Sequence, residues 1–164
     1  MEGDAERLEE DLWALEYSAQ KAVVIEQGGR RIEIVGVAFH WRDARAHFLR
    51  ALDQLPESTA DFRILLAHDP RLGAWVPPGR FELVLSGHTH GGHVAANWLG
   101  VAASALRLLR LRDQGWFDQR RHYVHRGNWL TGLPPRMGVS GEIALFVPGA
   151  CAPGAQSRSS TTGA

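Results

Sequence analysis

FRILLAHDP, residues 62–70, and FELVLSGHTHGGH, residues 81–93, decide how this chain is read. Each opens on a short, nearly continuous apolar run, residues 62–67 and 81–85, and each run breaks into polar residues at its C-terminal end. The first ends in His68-Asp69-Pro70 and the second in Ser86-Gly87-His88. Such runs suit strands buried on both faces of a sheet. In open α/β sheets ligands gather outside the carboxyl ends of the strands. The polar residues that close these two runs are therefore the first place to look for chemistry.

The flanking sequence supplies the remaining elements. Residues 21–27 and 31–38 predict two strands around Gly28-Gly29, a hairpin signal, with Ile32, Ile34 and Val35 alternating against Arg31 and Glu33. Residues 42–55 predict a helix with Phe48, Leu49 and Leu52 as its apolar stripe, stopped by Pro56. Residues 3–17 predict another, with Leu8, Leu12 and Leu15 at helical spacing and acids crowding its first turns. Residues 99–112 read as helix or as a long excursion, and residues 121–125 and 142–147 as two closing strands. After Pro148 the chain turns small and polar, so residues 1–148 form the domain and 149–164 a disordered tail.

Composition narrows the class. The 164 residues suffice for about one domain, and 45% hydrophobic with 22% charged residues excludes a disordered chain, a collagen and a coiled coil. Lys+Arg and Asp+Glu number 18 each, so bulk charge argues against a specific nucleic-acid partner. Cys151 is the one cysteine, which excludes an internal disulfide or a cysteine zinc cluster. No apolar run reaches the length of a membrane span, and the acidic start MEGDAERLEEDL is neither a signal nor a transit peptide, so a cytoplasmic protein is expected. Arg107, Arg110, Arg112, Arg120 and Arg121 stand against only Asp113 and Asp118. This stretch reads first as a solvated helix face. The alternative is a contact with an anionic membrane surface, with Trp98, Leu99, Val101 and Trp116 as an interfacial patch.

The eight histidines are spread unevenly. In Ser86-Gly87-His88-Thr89-His90-Gly91-Gly92-His93, glycines flank paired histidines and let the backbone turn tightly against a ligand. His88 and His90 are two apart, and in an extended segment such neighbours point to opposite sides. They suit two different ions, or an ion and a substrate, better than one shared ion. His68 closes the preceding strand and is expected at the same sheet edge. Neutral imidazole is the commonest metal ligand. A lone histidine at a strand end is more often a hydrogen-bonded structural residue, but three closing two consecutive strands favour metal. His122 and His125, three apart across a strand, fall on opposite faces, and His40 and His47 beside Trp41 read as surface or packing residues.

Strand-Leu-Leu-Ala-His-Asp-Pro followed by Phe-Glu-Leu-Val-Leu-Ser-Gly-His-Thr-His-Gly-Gly resembles the C-terminal half of the calcineurin-like metallophosphoesterases. More narrowly it resembles their bacterial branch of membrane-associated phosphodiesterase-like proteins, whose closing run is similar to Arg126-Gly127, Gly132-Leu133-Pro134-Pro135-Arg136 and Glu142-Ile143-Ala144-Leu145. The resemblance covers about residues 20–147. It implies an α/β fold, part of a four-layer α/β/β/α sandwich, and hydrolysis of phosphomonoesters or phosphodiesters at two divalent ions, manganese, iron or zinc. His68 and His88 match ligands of one ion and His90 a ligand of the other. His93 stands where the family usually has glutamine, on the substrate side.

The family's upstream ligands have no counterpart in matching places. Asp-x-His occurs nowhere, Gly3-Asp4 lies in the acidic opening, and Gly127-Asn128 is followed by Trp129. With them goes the histidine expected to protonate the leaving group, so no catalytic acid is assigned. Three histidines divided between two ions leave each short of ligands, and no carboxylate bridges the pair. The chain is therefore expected to be the C-terminal half of a phosphoesterase, weak alone and served by a complementing N-terminal half. The alternative is an inactive remnant acting as a binding module, with an exposed sheet edge that favours pairing.

Overall fold

The computed structural model describes residues 20–92, 104–128 and 138–147. The helix expected over residues 3–17, the aromatic patch at Trp98, Leu99 and Val101, His93 and the tail 149–164 lie outside them.

Strands β1 (Gln20–Gln27) and β2 (Arg30–Val37) form the hairpin that Gly28-Gly29 signals, pairing antiparallel with Gln27 opposite Arg30. Both turn glycines have positive φ, 60° and 73°, the requirement of a two-residue turn that matches strand twist. Helix α1 (Ala44–Asp53) follows and crosses back to β3 (Phe62–Ala67). Helix α2 (Pro70–Gly73) is one turn long and leads to β4 (Leu83–Ser86). Helix α3 (Ala105–Leu108), β5 (Gly115–Phe117) and β6 (His122–Val124) complete the described elements with two short 3₁₀ turns, His90–Gly92 and Asp118–Arg120.

The strands make one six-stranded sheet in the order β1-β2-β3-β4-β6-β5. The inner four run parallel, and the outer two pair antiparallel. Parallel pairing brings the carboxyl ends of β2, β3, β4 and β6 to one edge. This is the mixed α/β architecture expected; the second sheet of a four-layer sandwich is not found among the described residues.

One face of the sheet carries the core. Val35, Val37, Leu65, Ala67 and Val84 point to the side where Phe48 and Leu52 of α1 and Leu72 of α2 are buried. Each of the valine, leucine and phenylalanine side chains contributes on the order of 2 kcal/mol by leaving water. Glu33 and Arg63, register partners on β2 and β3, are buried near this face as an ion pair of 2.5 Å, with Arg63 also over the Phe81 ring. The opposite face, with Ile34, Ile64, Leu66, Leu85 and Tyr123, is half-buried. There Tyr123 meets Trp116 and Phe146 edge-on, with ring centroids 4.9 and 5.1 Å away.

Of residues 99–112, 104–112 are described, and their helix is Ala105–Leu108, so the longer excursion is the better description there. One expectation is corrected. Residues 142–147 form no strand: the Glu142 N–H donates to the Gly127 carbonyl at 3.1 Å, and the Glu142 carboxylate accepts from the Arg126 N–H and Nε–H at 3.1 and 3.0 Å. Exposure nonetheless alternates along these residues. Phe146 packs inward, whereas Ile143, Leu145 and Val147 are 91%, 88% and 79% exposed. Because Ile143 and Leu145 are exposed, replacing both by threonine is expected to shift folding stability by less than about 0.5 kcal/mol. It should also reduce self-association, since exposed apolar stripes promote contact. Urea unfolding and sedimentation velocity check both; a loss above about 1 kcal/mol would show these side chains to be covered.

Candidate metal centre

His68 is the first residue beyond β3. Asp69 and Pro70 end the strand, because proline fixes φ and the Asp69 side chain caps α2 by accepting from the Arg71 N–H at 2.8 Å. His88 lies two residues beyond β4. The ladder runs on past both strand ends, with Gly87 N–H donating to the His68 carbonyl at 3.2 Å and His125 N–H to the Ser86 carbonyl at 2.7 Å. The ends of β3, β4 and β6 are thereby locked side by side, and a cavity of about 660 Å³ opens over Gly36, Leu66, Leu85, His68 and His125.

The loop after β4 is not extended. His88, His90, Gly91 and Gly92 all adopt positive φ, 67°, 50°, 65° and 81°. For the two histidines this conformation costs roughly 1–2 kcal/mol each, and such strain gathers at functional sites. Gly91 is fixed sterically as well, since a Cβ there would lie 2.6 Å from Val139 Cγ1. The Thr89 hydroxyl donates to the Asp113 carbonyl at 2.6 Å and anchors the turn.

This loop carries His88 onto His68, with Nδ1 of one ring 2.9 Å from Nε2 of the other and centroids 4.7 Å apart. Trp41 stands edge-on to His88 at 6.1 Å. Burial and the neighbouring His88 lower the His68 pKa, with Asp69 opposing, which keeps the imidazole neutral as a ligand must be. At 2.9 Å the two nitrogens share a hydrogen bond; to hold one tetrahedral ion with ligands at about 2.0–2.1 Å they would give up that bond and open to about 3.3 Å, a small displacement. Asp69 is not spare, because its buried carboxylate is held by Arg71 at 2.7 Å. Hydrogen bonds from Arg71 hold its pKa low against the opposing effect of burial.

His90 opens the 3₁₀ turn and does not join the pair. Among the described residues no three His, Cys, Asp or Glu side chains group around a common point. Of the three histidines at the two strand ends, the structure brings two together.

A second group at this edge escaped the sequence. His122 is 1% exposed, with Nε2 2.9 Å from Ser86 Oγ and Nδ1 2.6 Å from Arg112 Nη1, and Arg112 is paired with Asp118. Serine beside histidine suggests an activated nucleophile. Arg112 decides otherwise. A guanidinium only donates, so Nδ1 accepts, the proton sits on Nε2, and His122 donates to Ser86 Oγ. A ring already donating cannot take the serine proton. His122 thus holds the residue from which the His88 loop departs. The Ser-Gly-His stretch hinted at this loop, but nothing near His122 in sequence announced its partners. His125 is bonded locally, its Nδ1 accepting from Gly127 N–H at 2.8 Å, and His40 and His47 stack on each other at 4.5 Å.

No family model matches the chain, nor does any solved structure. Curated proteins do. The chain is 32% identical to an uncharacterized metallophosphoesterase, YkuE, of Bacillus subtilis over 87 residues, 52% of this chain and 30% of that protein. It is 32% identical to an uncharacterized metallophosphoesterase, Cj0846, of Campylobacter jejuni over 89 residues, 54% of this chain and 23% of that protein. It is also 26% identical to the uncharacterized protein YpbG of Bacillus subtilis over 126 residues, 76% of this chain and 45% of that protein. The chain therefore spans less than half the length of each of these relatives. Among the described residues no helix is long and apolar enough to cross a membrane.

Proposed function

We propose that this chain carries part of the active site of a metal-dependent phosphoesterase, with His68 and His88 as ligands of one divalent ion and His90 directed to a second. The observation that carries it is the contact of 2.9 Å between two imidazole nitrogens at the carboxyl edge of a parallel sheet, in a chain resembling proteins named metallophosphoesterases. Divalent ions there, manganese, iron or zinc, supply Lewis acidity and a water of lowered pKa. The chain's own residues present His68 at the end of β3, carry His88 to it on a strained loop and keep Ser86 beneath that loop. By the family resemblance we assign His93 to the substrate side.

Three histidines are too few for two ions. Carboxylates from a complementing segment complete the set, and the half-buried face of Ile34, Ile64, Leu66 and Leu85 supports a second layer packed there, as in a sandwich. The Arg-rich stretch is offered to anionic lipid, although Arg112 is turned inward to Asp118 and His122.

Metal titration tests the proposal. The full chain is expected to bind manganese or zinc by calorimetry, with His68→Ala and His88→Ala each weakening binding by at least about tenfold. Unchanged binding in His88→Ala would end it and leave a non-catalytic binding module.

A further inference from the structure

A second cavity, about 600 Å³, opens beside His88. It runs between the α2 turn, with Ala74 and Trp75, and the α3 segment, with Leu106 and Leu111, and His88 and Arg110 line it too. Its size suits an organic ligand rather than a bare anion. Three guanidiniums face it, and two are already neutralised: Arg71 by Asp69 and Arg112 by Asp118. Arg110 pairs with no carboxylate among the described residues. It is exposed and held in a left-handed conformation, with φ 59°, its N–H donating to the Arg107 carbonyl at 2.9 Å.

We infer that this cleft takes the apolar organic group of a phosphoester, aryl or alkyl, with Trp75, Leu106 and Leu111 against that group and Arg110 toward the phosphate. The inference rests on the phosphoesterase proposal, since His88 joins the cleft to the imidazole pair. The charge arithmetic favours it. One cation with no carboxylate partner among the described residues complements a single phosphoester, and Ala74, Trp75, Leu106 and Leu111 give a hydrocarbon group apolar contact that a sugar or glycerol group cannot use, although Asp69 and Thr89 also line the cleft. Apolar burial at this scale discriminates by at least about tenfold.

The test is equilibrium binding to the full chain, with and without manganese, of phenyl phosphate, glycerol phosphate and inorganic phosphate. Phenyl phosphate is expected to bind at least about tenfold tighter than the other two. Leu111→Asp, at a position 44% exposed and so safe for folding, is expected to erase the preference. Arg110→Asn, a residue that tolerates the left-handed conformation, is expected to weaken all three ligands alike. Equal affinities, no binding of any ester, or a preference that survives Leu111→Asp would overturn the inference. The manganese dependence of binding and phosphate release from the same esters separate the two claims. Preference that gains nothing from manganese keeps the cleft and counts against the phosphoesterase, and manganese-dependent binding or release of phosphate without preference does the reverse.

Discussion

Gly73→Ala is expected to destabilise the protein by about 3 kcal/mol, where the same change in an ordinary helix stabilises by up to about 1 kcal/mol. The reversal of sign has one source. A Cβ on Gly73 would lie 2.4 Å from Cε1 and 2.5 Å from Nδ1 of His122. That ring cannot step aside, because Arg112 holds one nitrogen at 2.6 Å and Ser86 the other at 2.9 Å. Accommodating the methyl group means breaking one of these bonds inside the core or displacing α2. On a chain of this size the loss corresponds to a fall in Tm of roughly 6–12 °C. In a His122→Ala background the clash is gone, and Gly73→Ala should become neutral or mildly stabilising. Thermal unfolding of the four proteins of that cycle measures the coupling. A Gly73→Ala single variant as stable as the parent would show that the ring is not fixed.

The parts of the fold that could be read from sequence are those whose signal is local. Phe48 and Leu52 lie one turn apart and are both buried, as the stripe of residues 42–55 required. FRILLA is β3 to the residue, because Asp69-Pro70 stops it. Gly28-Gly29 needed only its two positive φ values. Where pairing partners decide, the sequence was silent or misleading. Residues 142–147 carry a strand's alternation, yet the described sheet offers them no neighbour beyond one bond at Gly127. The three-residue strand β5 exists only because Trp116 finds Tyr123 opposite it. The meeting of His68 and His88 was legible as two strand ends that parallel neighbours must bring together. The left-handed turn that keeps His90 out of a common group was not, because it depends on Val139 and Asp113, far along the chain.

His122 ties the stability of this edge to pH. Burial first, and then the charge of Arg112, lower its pKa from 6.5 to about 4, with Asp118 pulling the other way. A histidine depressed in the folded state binds fewer protons there than in the unfolded chain between these two values. Stability is therefore complete above about pH 6.5 and falls as the pH drops toward 4, by a total of about 3 kcal/mol. The geometry explains the loss. Protonation adds a hydrogen to Nδ1, which then faces the Arg112 guanidinium as a second donor and a like charge. Either the ring leaves Ser86 or Arg112 leaves Asp118. Urea unfolding at several pH values between 7.5 and 4 is expected to show this slope in the parent. It should be shallower in His122→Gln, which retains only the contributions of other groups, such as His68 and Asp69, whose pKa values are both lowered. Because Ser86 precedes the His88 loop, the backbone amide signals of Gly87 and Thr89 should shift over the same interval in the parent and stay level in the variant. Parallel slopes in the two proteins would mean that His122 is not held neutral by this contact, and the role assigned to it beneath the loop would fall with it.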